Sequence, residues 1–414
     1  MSPIRHVAVI GAGITGITTA YALLRRGFEV TVFDRQPYAA METSFANGGQ
    51  LSASNAAVWN RWSTVLKGMK WMLTKDAPLL MNPRPGLHKY GWMAEFLRAI
   101  PHYERNTVET VRLAIAAREH LLSWAEEEKI AFDVLHRGIL HVFEDDGEFE
   151  AAHEVTRLLK RGGLERQRVS PDEIAALDAS LPRGRYVGGY HTPSDFTGDV
   201  HKYAMGLARA CEQRGASLRF NATVGSLMPM GERGVDIEWT EPDGTDRRRF
   251  DSIVVCAGVA SRAIGKALGD RVNVYPVKGY SVTVMLNDEG SRDGAPTISL
   301  LDEASKIVTS RLGDRFRIAG TAEFNGTNKD IRADRIRPLV DWCRRNFPGV
   351  STEHVVPWAG LRPMMPDMLP RVGRGTAPCV FYNTGHGHLG WTLSAATADA
   401  IAASVEAQAM RNAA

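Results

Sequence analysis

A glycine-rich turn between a strand and a helix is the feature that most constrains how this chain can fold. His6 to Ile10 is a short apolar run of strand type, and Gly11-Ala12-Gly13-Ile14-Thr15-Gly16 follows it at once. Apolar residues after the turn recur at helical spacing, and Glu29 to Phe33 is typical of a second strand that ends at Asp34. A G-x-G-x-x-G match in this context predicts a dinucleotide-binding unit. Glycines that serve only a turn would not explain the strand, the helix and the acid together.

Each position of the turn has a predicted role. The first glycine permits the tight turn, the second lets the backbone approach a pyrophosphate, and the third lets the helix pack closely on the strand. Free N–H groups at the start of the helix would face the phosphates. The predicted cofactor contacts are therefore Gly11, Gly13, Ile14, Thr15 and Gly16, then Asp34, whose carboxylate would bind a ribose hydroxyl, and its neighbour Arg35.

Composition excludes several classes of protein. The 414 residues, 44% of them hydrophobic and 23% charged, can form two or three domains, and a net charge of +3 is too small to indicate a nucleic-acid partner. Four cysteines (Cys211, Cys256, Cys343 and Cys379) are widely spaced, and none forms a C-x-x-C motif. This spacing favours a reducing compartment and argues against a disulfide framework or a metal site.

The sequence favours a cytoplasmic protein. No leader of signal-peptide type precedes the first strand, and no apolar stretch reaches the roughly 20 residues that a membrane-spanning helix needs. The nearest candidate, residues 391–410, contains Asp399 and Glu406. Contact with the inner face of a membrane is left open.

The order of elements predicts an α/β (α+β) fold with a discontinuous dinucleotide-binding domain. Residues 1–55, 195–265 and 355–414 would form a Rossmann-like domain. Residues 56–194 and 266–354 would form an inserted substrate domain with an antiparallel sheet, in which 274–285 and 297–309 are long strands.

A second glycine-rich turn favours a flavin over a nicotinamide cofactor. A nicotinamide dehydrogenase usually completes its dinucleotide fold without interruption, whereas this fold is interrupted near Gln36 and ends in a buried strand at Cys379 to Tyr382. That strand leads into Asn383-Thr384-Gly385-His386-Gly387-His388-Leu389-Gly390 and a helix. One turn would hold the pyrophosphate, and the other would place N–H groups and a helix dipole near the flavin ring. The alternative is an ordinary loop.

Several motifs are similar to those of the D-amino-acid dehydrogenase family, within the group that includes glycine oxidase, sarcosine oxidase and D-amino-acid oxidase. The resemblance covers nearly the whole chain. Its motifs are Asp34-Arg35-Gln36-Pro37, the segment from Glu42 to Gln50, Lys70-Trp71-Met72, Thr197-Gly198-Asp199, the segment from Tyr275 to Ser281, the segment from Gly360 to Asp367, and the segment from Asn383 to Thr392.

The resemblance implies non-covalent FAD and hydride transfer from the substrate Cα to the flavin, which converts a small D-amino acid to an imine and then to a 2-oxo acid. The substrate class is D-alanine-like or D-proline-like, including hydroxy-D-proline, and the electrons pass to a quinone or another carrier. An oxidase that uses oxygen, a flavin-bearing subunit of a larger complex, and a nicotinamide-dependent hydroxy-acid dehydrogenase are alternatives.

Arg362 is the residue that we expect to bind the substrate carboxylate. A guanidinium can hold a carboxylate with two parallel hydrogen bonds. Arg362 follows an apparent strand, Val355 to Gly360, and matches the arginine that the resembling oxidases use. The alternative is a salt bridge to Asp367. Lys278 and Tyr280 alternate onto one face of a strand, so they either line the pocket against the flavin or pack in the sheet.

Other residues are expected at the cofactor through the resemblance or through their place at strand and helix ends. Either histidine of the second turn can hydrogen-bond the flavin or a phosphate, or have a structural role. The predicted contacts are Thr43, Ser44, Asn47, Gly48, Val224, Ala257, Gly258, Gly385, His386, Gly387, His388, Leu389 and Gly390.

One apolar stripe has two interpretations. Leu66, Met69 and Leu73 share one side of a predicted helix, with Lys67 and Lys70 nearby. The stripe is either the core of the inserted domain, which we expect, or a surface that meets a membrane or an electron-accepting partner.

Overall fold

A computed structural model describes residues 5–72 and 77–413, and it confirms the α/β fold class. The helices are α1 (Ile14–Arg25), α2 (Trp62–Met72), α3 (Leu87–Arg98), α4 (Tyr103–Glu127), α5 (Asp146–Arg161), α6 (Pro171–Leu177), α7 (Val200–Gln213), α8 (Ser261–Ala267), α9 (Glu289–Gly294), α10 (Ala333–Asn346) and α11 (Gly390–Ala413). The strands are β1 (His6–Ile10), β2 (Glu29–Phe33), β3 (Gln50–Leu51), β4 (Leu79–Met81), β5 (Ile139–Phe143), β6 (Gln167–Val169), β7 (Gly188–Thr192), β8 (Phe196–Thr197), β9 (Ser217–Arg219), β10 (Thr223–Pro229), β11 (Val235–Glu241), β12 (Gly244–Phe250), β13 (Ser252–Val255), β14 (Tyr275–Met285), β15 (Ser299–Asp302), β16 (Ile307–Arg311), β17 (Arg315–Phe324), β18 (Val355–Met364), β19 (Arg371–Arg374) and β20 (Val380–Thr384).

The first sheet carries both glycine-rich turns. Its six strands lie in the order β19-β20-β13-β1-β2-β9, and every neighbouring pair except β19–β20 is parallel. The strand order reverses at β1, which lies between β2 and β13. In open parallel sheets of this kind the ligand lies beyond the carboxyl ends of the strands at that reversal.

Both faces of this sheet are covered, which explains why its strands are short apolar runs rather than alternating ones. On one face, Val7 and Val9 join a core with α1, α4, α7 and α11. On the other face, Ala8 and Ile10 pack against a small antiparallel sheet of β10, β11 and β12, through residues such as Trp239.

The second sheet is larger and mostly antiparallel. Its order is β18-β14-β17-β16-β15-β5-β7-β6, with β4 beside β17. The pairs β15–β5 and β17–β4 are parallel, so the sheet is mixed. One face forms a core with α10 around Tyr280, Phe316 and Trp342, and the other face turns toward the first sheet.

The prediction of one strand over 297–309 is wrong. Two strands, β15 and β16, are joined by a turn in which Lys306 has a φ of +53° and the Ser305 N–H donates to Oδ1 of Asp302 at 2.8 Å. The chain reverses in the short segment Glu303 to Lys306. The charged side chains of Glu303 and Lys306 therefore lie in the turn between β15 and β16.

The strand at 355 also differs from the prediction. β18 continues to Met364, so Arg362 lies within the strand instead of after it, and the whole strand pairs with β14 in the second sheet. The six strands of the first sheet all come from the three segments 1–55, 195–265 and 355–414. Residues 355–364, however, form β18 and belong to the second sheet. The domain boundaries themselves stay a prediction.

Helix α2 does not bury its apolar stripe. Trp62, Leu66 and Met69 are 61%, 60% and 47% exposed, so the expectation that this stripe forms core is wrong. Leu73, the third member of the predicted stripe, lies outside the described residues. None of the helices in the described ranges is long and apolar enough to cross a membrane.

Candidate active site

A single large cavity collects most of the residues singled out from the sequence. Its volume is about 1040 Å³, at the upper end of the range of ligand pockets, roughly 300–1,000 Å³. All of the predicted cofactor contacts except Gly16 line it, together with Arg362 and Tyr280. It therefore joins the first sheet, both glycine-rich turns and the inner face of the second sheet.

The first turn needs glycine for two different reasons. Gly11 has a φ of +106°, and a Cβ there would lie 2.7 Å from the carbonyl oxygen of Cys256. A Cβ at Gly16 would overlap the carbonyl oxygen of Gly11. The protein's own packing thus requires both, and this brings the start of α1 against β1 and β13.

Gly13 is different, because the protein around it leaves room. Its φ of −68° suits any residue, and a Cβ there would meet only Oγ of Ser44, at an ordinary 3.6 Å. Gly13 lines the cavity at the first turn of α1, where the Ile14 N–H donates to Ser44 Oγ at 3.1 Å. The space that a side chain would fill is therefore the place where a phosphate would meet the helix N-terminus.

Asp34, directly after β2, connects the end of that strand to the first glycine-rich turn through hydrogen bonds. Its two carboxylate oxygens accept hydrogen bonds from the backbone N–H groups of Ala12, at 2.6 Å, and Gln36, at 2.8 Å. Burial raises the pKa of Asp34, while these two donors oppose the shift. Asp34 also lines the cavity, so its role toward a ribose stays a prediction; Arg35 is engaged by Glu42 at 2.9 Å.

The second turn has a similar geometry. Gly385 and Gly387 have φ angles of +79° and +60°, and α11 begins at Gly390. His386 is buried, with Nε2 2.9 Å from Oγ1 of Thr397, and burial lowers its pKa to about 3. Its ring is neutral and structural, and the residue is part of the cavity wall.

His388 lines the cavity with its ring stacked on Trp59, at 4.7 Å between centroids. Neither ring nitrogen makes a well-aligned hydrogen bond with a described residue, although the Asn55 backbone is near enough to oppose the lowering of the ring's pKa. Burial, and then the charge of Arg362, lowers the pKa of His388 to about 4. A neutral imidazole with free polar atoms therefore lies in the cavity near Arg362.

Arg362 is a half-buried cation that has no counterion among the described residues. Burial alone lowers the pKa of its guanidinium to about 10, and no carboxylate in the described ranges pairs with it. Asp367 instead accepts a hydrogen bond from the Leu369 N–H at 3.2 Å. The alternative of a salt bridge between Arg362 and Asp367 is therefore not what the structure contains. An unpaired guanidinium in a cavity favours an anionic ligand.

A β-bulge aims this guanidinium. The pairing of β14 with β17 shifts between Lys278 and Tyr280, where β17 has one extra residue. Thr321 in the bulge has a φ of +62°, and its carbonyl oxygen accepts a hydrogen bond from Nη1 of Arg362 at 2.8 Å. Bulges commonly redirect a side chain in this way beside active sites.

Comparison with known proteins decides the family. The sequence profile described as FAD dependent oxidoreductase (DAO) matches residues 6–404. D-amino acid dehydrogenase 3 of Mesorhizobium japonicum is 59% identical over 398 residues, covering 96% of each chain, and D-amino acid dehydrogenase of Dechloromonas aromatica is 39% identical over 404 residues, again covering 96% of each.

The chain belongs to the DAO family of FAD-dependent oxidoreductases.

Solved structures show the same fold. Glycine oxidase from Geobacillus kaustophilus superposes with a TM-score of 0.76 at 20% identity, covering 97% of this chain and 95% of that one. L-proline dehydrogenase from P. horikoshii gives a TM-score of 0.73 at 16% identity, covering 97% and 93%. The predicted FAD cofactor and oxidoreductase class are confirmed by the family.

The residues present fit the cofactor of this family. Around Gly13 the described residues leave a space unfilled, and the buried ring nitrogens of His388 make no well-aligned hydrogen bond with the described residues. FAD is a long molecule in which a charged pyrophosphate joins adenosine to the flavin, and residues of both glycine-rich turns line the same cavity. Each turn places the start of a helix, and hence a positive dipole end, on the cavity wall.

Lys278 does not line the cavity, which corrects the prediction that its strand face lies against the flavin. Arg362 pairs with Val277 and so shares a face with Gly279, whereas Lys278 and Tyr280 point to the opposite side of β14. Lys278 is fully buried with Nζ 3.5 Å from Oε1 of Glu323.

The hydroxyl of Tyr280, like the amine of Lys278, is directed toward Glu323. It donates to Oε2 of Glu323 at 2.9 Å, and burial raises its pKa. Although Tyr280 is part of the cavity wall, its polar atom is engaged beneath the sheet. The Lys278 amine is therefore engaged outside the cavity, whereas the catalytic role expected of Tyr280, which does line the cavity, stays a prediction.

Sequence reasoning missed a polar cluster in the same cavity. Ser54, His141 and Glu303 lie far apart in the chain, yet their side chains form consecutive hydrogen bonds on the cavity wall. The one available signal was the histidine itself, which interrupts the otherwise apolar run of β5, Ile139 to Phe143.

Proposed function

We propose that this protein catalyses the FAD-dependent oxidative deamination of a small D-amino acid to an imine, which hydrolyses to a 2-oxo acid. The observation that carries the proposal is the unpaired guanidinium of Arg362 in the cavity that also contains both glycine-rich turns. The names of the Mesorhizobium and Dechloromonas relatives, both D-amino acid dehydrogenases, support the D configuration of the substrate.

Arg362 would bind the substrate carboxylate. The Thr321 carbonyl oxygen accepts from one N–H of Nη1, and the remaining N–H groups of the guanidinium are left for the ligand. Two parallel charge-assisted hydrogen bonds orient a carboxylate as well as binding it, so they also set the direction of the Cα–H bond. FAD, when bound, supplies the ring that accepts the hydride.

Non-covalent contacts would hold the cofactor. The backbone at Gly11, Gly13 and Thr15 would receive the pyrophosphate, and the backbone of 385–390 would face the flavin end. Thr43 and Ser44 support this arrangement from the side, since Thr43 donates to the Leu361 carbonyl at 2.8 Å and Ser44 accepts from Ile14. The cavity would thus be lined mostly by backbone where the phosphates lie.

We infer two candidate substrate classes, D-alanine-like and D-proline-like. The rings of Trp59 and His388 stack on one wall of the cavity, near Arg362. Flat walls of this kind suit a small apolar side chain or a pyrrolidine ring equally, so the product distinguishes the two classes. An acyclic substrate gives a 2-oxo acid and ammonia, whereas proline gives a cyclic imine.

A quinone at the inner face of a membrane is the electron acceptor that we propose. Helix α2 lines the cavity with Lys67 and Trp71 and presents Trp62, Leu66 and Met69 to solvent. Exposed apolar residues at positions i, i+4 and i+7 form one apolar face, as in helices that lie on a lipid surface. One side of helix α2 therefore lines the cavity, and another side presents the apolar face to solvent.

The experiment is a steady-state panel of D-amino acids with either a soluble quinone or oxygen as the acceptor. We expect turnover of D-alanine or D-proline with the quinone and little hydrogen peroxide. Substantial peroxide would instead identify an oxidase. Absence of turnover with every D-amino acid, although the protein binds FAD, would refute the proposed reaction.

A further inference from the structure

A chain of hydrogen bonds runs along the cavity wall from Ser52 to Lys306. The hydroxyls of Ser52 and Ser54 are 3.1 Å apart, and Ser54 Oγ is 3.0 Å from Nε2 of His141. Nδ1 of His141 is 3.0 Å from Oε1 of Glu303, whose Oε2 accepts from Lys306 at 2.5 Å. All five side chains line the cavity that contains Arg362.

The chain has a defined direction. An ionised carboxylate can only accept hydrogen bonds, so Nδ1 of His141 must carry the proton that faces Glu303. Nε2 is then an acceptor, and the Ser54 hydroxyl donates to it. Ser52 Oγ accepts from the Asn55 N–H at 3.1 Å, and when the single Ser54 proton faces His141, Ser52 is the donor of the bond between the two hydroxyls. The Asp195 carboxylate is a second acceptor within reach of the Ser54 hydroxyl, and the relay uses the orientation in which that proton faces Nε2 of His141.

Four charged groups surround His141. Glu303 contacts it directly, Lys306 neutralises Glu303, and Arg166 and Asp195 act at longer range. Burial, the largest effect, lowers the pKa of His141. Burial opposes ionisation of Glu303 as well, but Lys306 and His141 hold the pKa of that carboxyl well below its usual range. At neutral pH the imidazole is therefore uncharged and able to accept a proton, with a carboxylate placed to stabilise the imidazolium.

The serine end of the chain lies beside the second glycine-rich turn. The Ser52 N–H is 3.4 Å from Oγ1 of Thr392, in the first turn of α11. Asp195 holds the same segment from below, accepting from the N–H groups of Ala53, at 3.1 Å, and Ser54, at 2.9 Å. The Ser54 hydroxyl is thus fixed on the wall where the flavin end of the cofactor and the substrate would meet.

We propose that Ser54 and His141 form a proton relay that accepts the proton lost by the substrate ammonium group. The proposal rests on the proposed function, because an amino acid must have a neutral amine before its Cα–H bond can break as a hydride. The ammonium N–H bond breaks, the proton passes to Ser54 Oγ, and the serine's own proton moves to Nε2 of His141. The imidazolium then returns that proton to water before the next turnover.

In this scheme Ser54 contacts the substrate, while His141 acts through Ser54 and Glu303 positions His141. The relay transfers one proton and no electrons, so it needs no co-reactant beyond the substrate and water. A purely structural cluster would have the same contacts but would not respond to the protonation state of the substrate amine.

The test compares wild-type holoenzyme with His141→Gln and Ser54→Ala. Each is mixed anaerobically with saturating D-alanine or D-proline, and the rate of flavin bleaching is measured from pH 7 to pH 10. Both variants should be slower by about 100-fold at pH 7 but by less than about 5-fold at pH 10, where much of the substrate ammonium loses its proton to the solvent without help. Because rates are compared at the same pH, the titration of Arg362 cancels.

His191→Gln is the matched control. His191 is a buried histidine on the neighbouring strand β7, it bonds the Arg137 carbonyl at 3.2 Å, and it does not line the cavity. We expect wild-type rates at every pH. An equal loss at all pH values in Ser54→Ala and His141→Gln, or no loss, would overturn the relay while leaving the proposed function intact. Failure of every D-amino acid to bleach wild-type flavin would refute the proposed function itself.

A second readout does not depend on activity. ¹⁵N NMR of histidine-labelled holoenzyme at pH 7 should show His141 as the neutral tautomer with the proton on Nδ1, identified by its loss in His141→Gln. Ser54→Ala should shift the Nε2 resonance by removing its donor. An Nε2–H tautomer or an imidazolium in the wild type would overturn the proposal, since neither can accept a proton from Ser54.

Discussion

The guanidinium of Arg362 lies over Gly279, in the space that any other side chain at position 279 would occupy. An ideal Cβ at Gly279 would overlap Nη2 of Arg362 and lie 2.5 Å from its Cζ. We expect Gly279→Ala to displace the guanidinium and to raise the KM for a D-amino acid by roughly 10- to 100-fold, because positioning errors of this size are costly. Retention of FAD, followed by its absorbance, should be unchanged.

Gly91→Ala is the control for that substitution. Gly91 lies in α3, and an ideal Cβ at this position would have nothing within 4 Å, so the variant should keep a wild-type KM. An unchanged KM in Gly279→Ala as well would mean that Arg362 does not hold the substrate in this orientation.

In the first glycine-rich turn, Gly13 is expected to serve cofactor binding and Gly16 to serve folding. Gly13→Ala should change the free energy of unfolding of the apoprotein by no more than about 1 kcal/mol, since its φ is ordinary and its neighbours leave room. Its FAD dissociation constant should rise at least about tenfold, because the methyl group would take the place of a phosphate.

Gly16→Ala should behave in the opposite way. A Cβ there overlaps the Gly11 carbonyl, so we expect a loss of about 1–3 kcal/mol or more in apoprotein stability, measured by urea unfolding. Equal FAD affinity in Gly13→Ala and wild type would place the pyrophosphate elsewhere.

Arg362→Lys tests the carboxylate contact. A lysine keeps the charge but loses the fork of parallel donors, so kcat/KM for a D-amino acid should fall by about 30- to 1000-fold, or about 2–4 kcal/mol. Arg374→Lys, at an exposed position on β19 outside the cavity lining, is the control and should match the wild type. Comparable kinetics for the two variants would remove Arg362 from the substrate site.

Burial of His386 gives a stability that depends on pH. Burial lowers its pKa to about 3 in the folded protein, whereas an unfolded chain takes up the proton near the ordinary value of 6.5. Since the unfolded state binds more protons between these values, stability falls as pH falls through this window, by up to about 1.4 kcal/mol per pH unit.

The measurement for His386 is the urea midpoint between pH 7 and pH 5 at a fixed excess of FAD. His386→Gln should show a smaller dependence on pH than the wild type, and His153→Gln, at an exposed histidine, should show the same dependence as the wild type. A steeper or unchanged profile in His386→Gln would contradict the buried neutral ring.

Helix α2 should mediate contact with lipid. Replacing both Trp62 and Leu66 with serine removes two exposed apolar side chains, so binding to anionic phospholipid vesicles should weaken at least about tenfold in a sedimentation assay. Val356→Ser removes an apolar side chain that is 57% exposed on β18 and should have no effect. Equal binding by the double variant would exclude α2 as the contact.

The sequence was sufficient wherever a local pattern determines the structure. The G-x-G-x-x-G turn predicted β1, α1 and β2, because glycine spacing and apolar periodicity are both local signals. The turn at 385–390 and the helix after it were predicted for the same reason. Even Arg362 was placed in the cavity, since a motif match gave its position without any knowledge of the second sheet.

Prediction failed where the structure depends on distant partners. Strand alternation placed Lys278 and Tyr280 on one face correctly, but which face meets the cavity is set by the pairing of β14 with β18 and by the bulge at Thr321. Ser54, His141 and Glu303 meet only because three segments that are distant in sequence come together in the fold. The spacing of these residues in the sequence does not predict that contact. The exposed stripe of α2 has the same periodicity as a buried one. Periodicity shows that a helix has an apolar face, but it does not show whether protein, lipid or solvent meets that face.

The most direct measurement is the flavin absorbance of purified holoenzyme mixed anaerobically with paired enantiomers of alanine and proline. We predict that at least one D-enantiomer bleaches the flavin of the wild type within seconds to minutes while its L-enantiomer does not, and that Arg362→Lys, still yellow, is bleached far more slowly. A colourless protein that cannot be reconstituted with FAD, or a flavin that no D-amino acid reduces, would contradict the account.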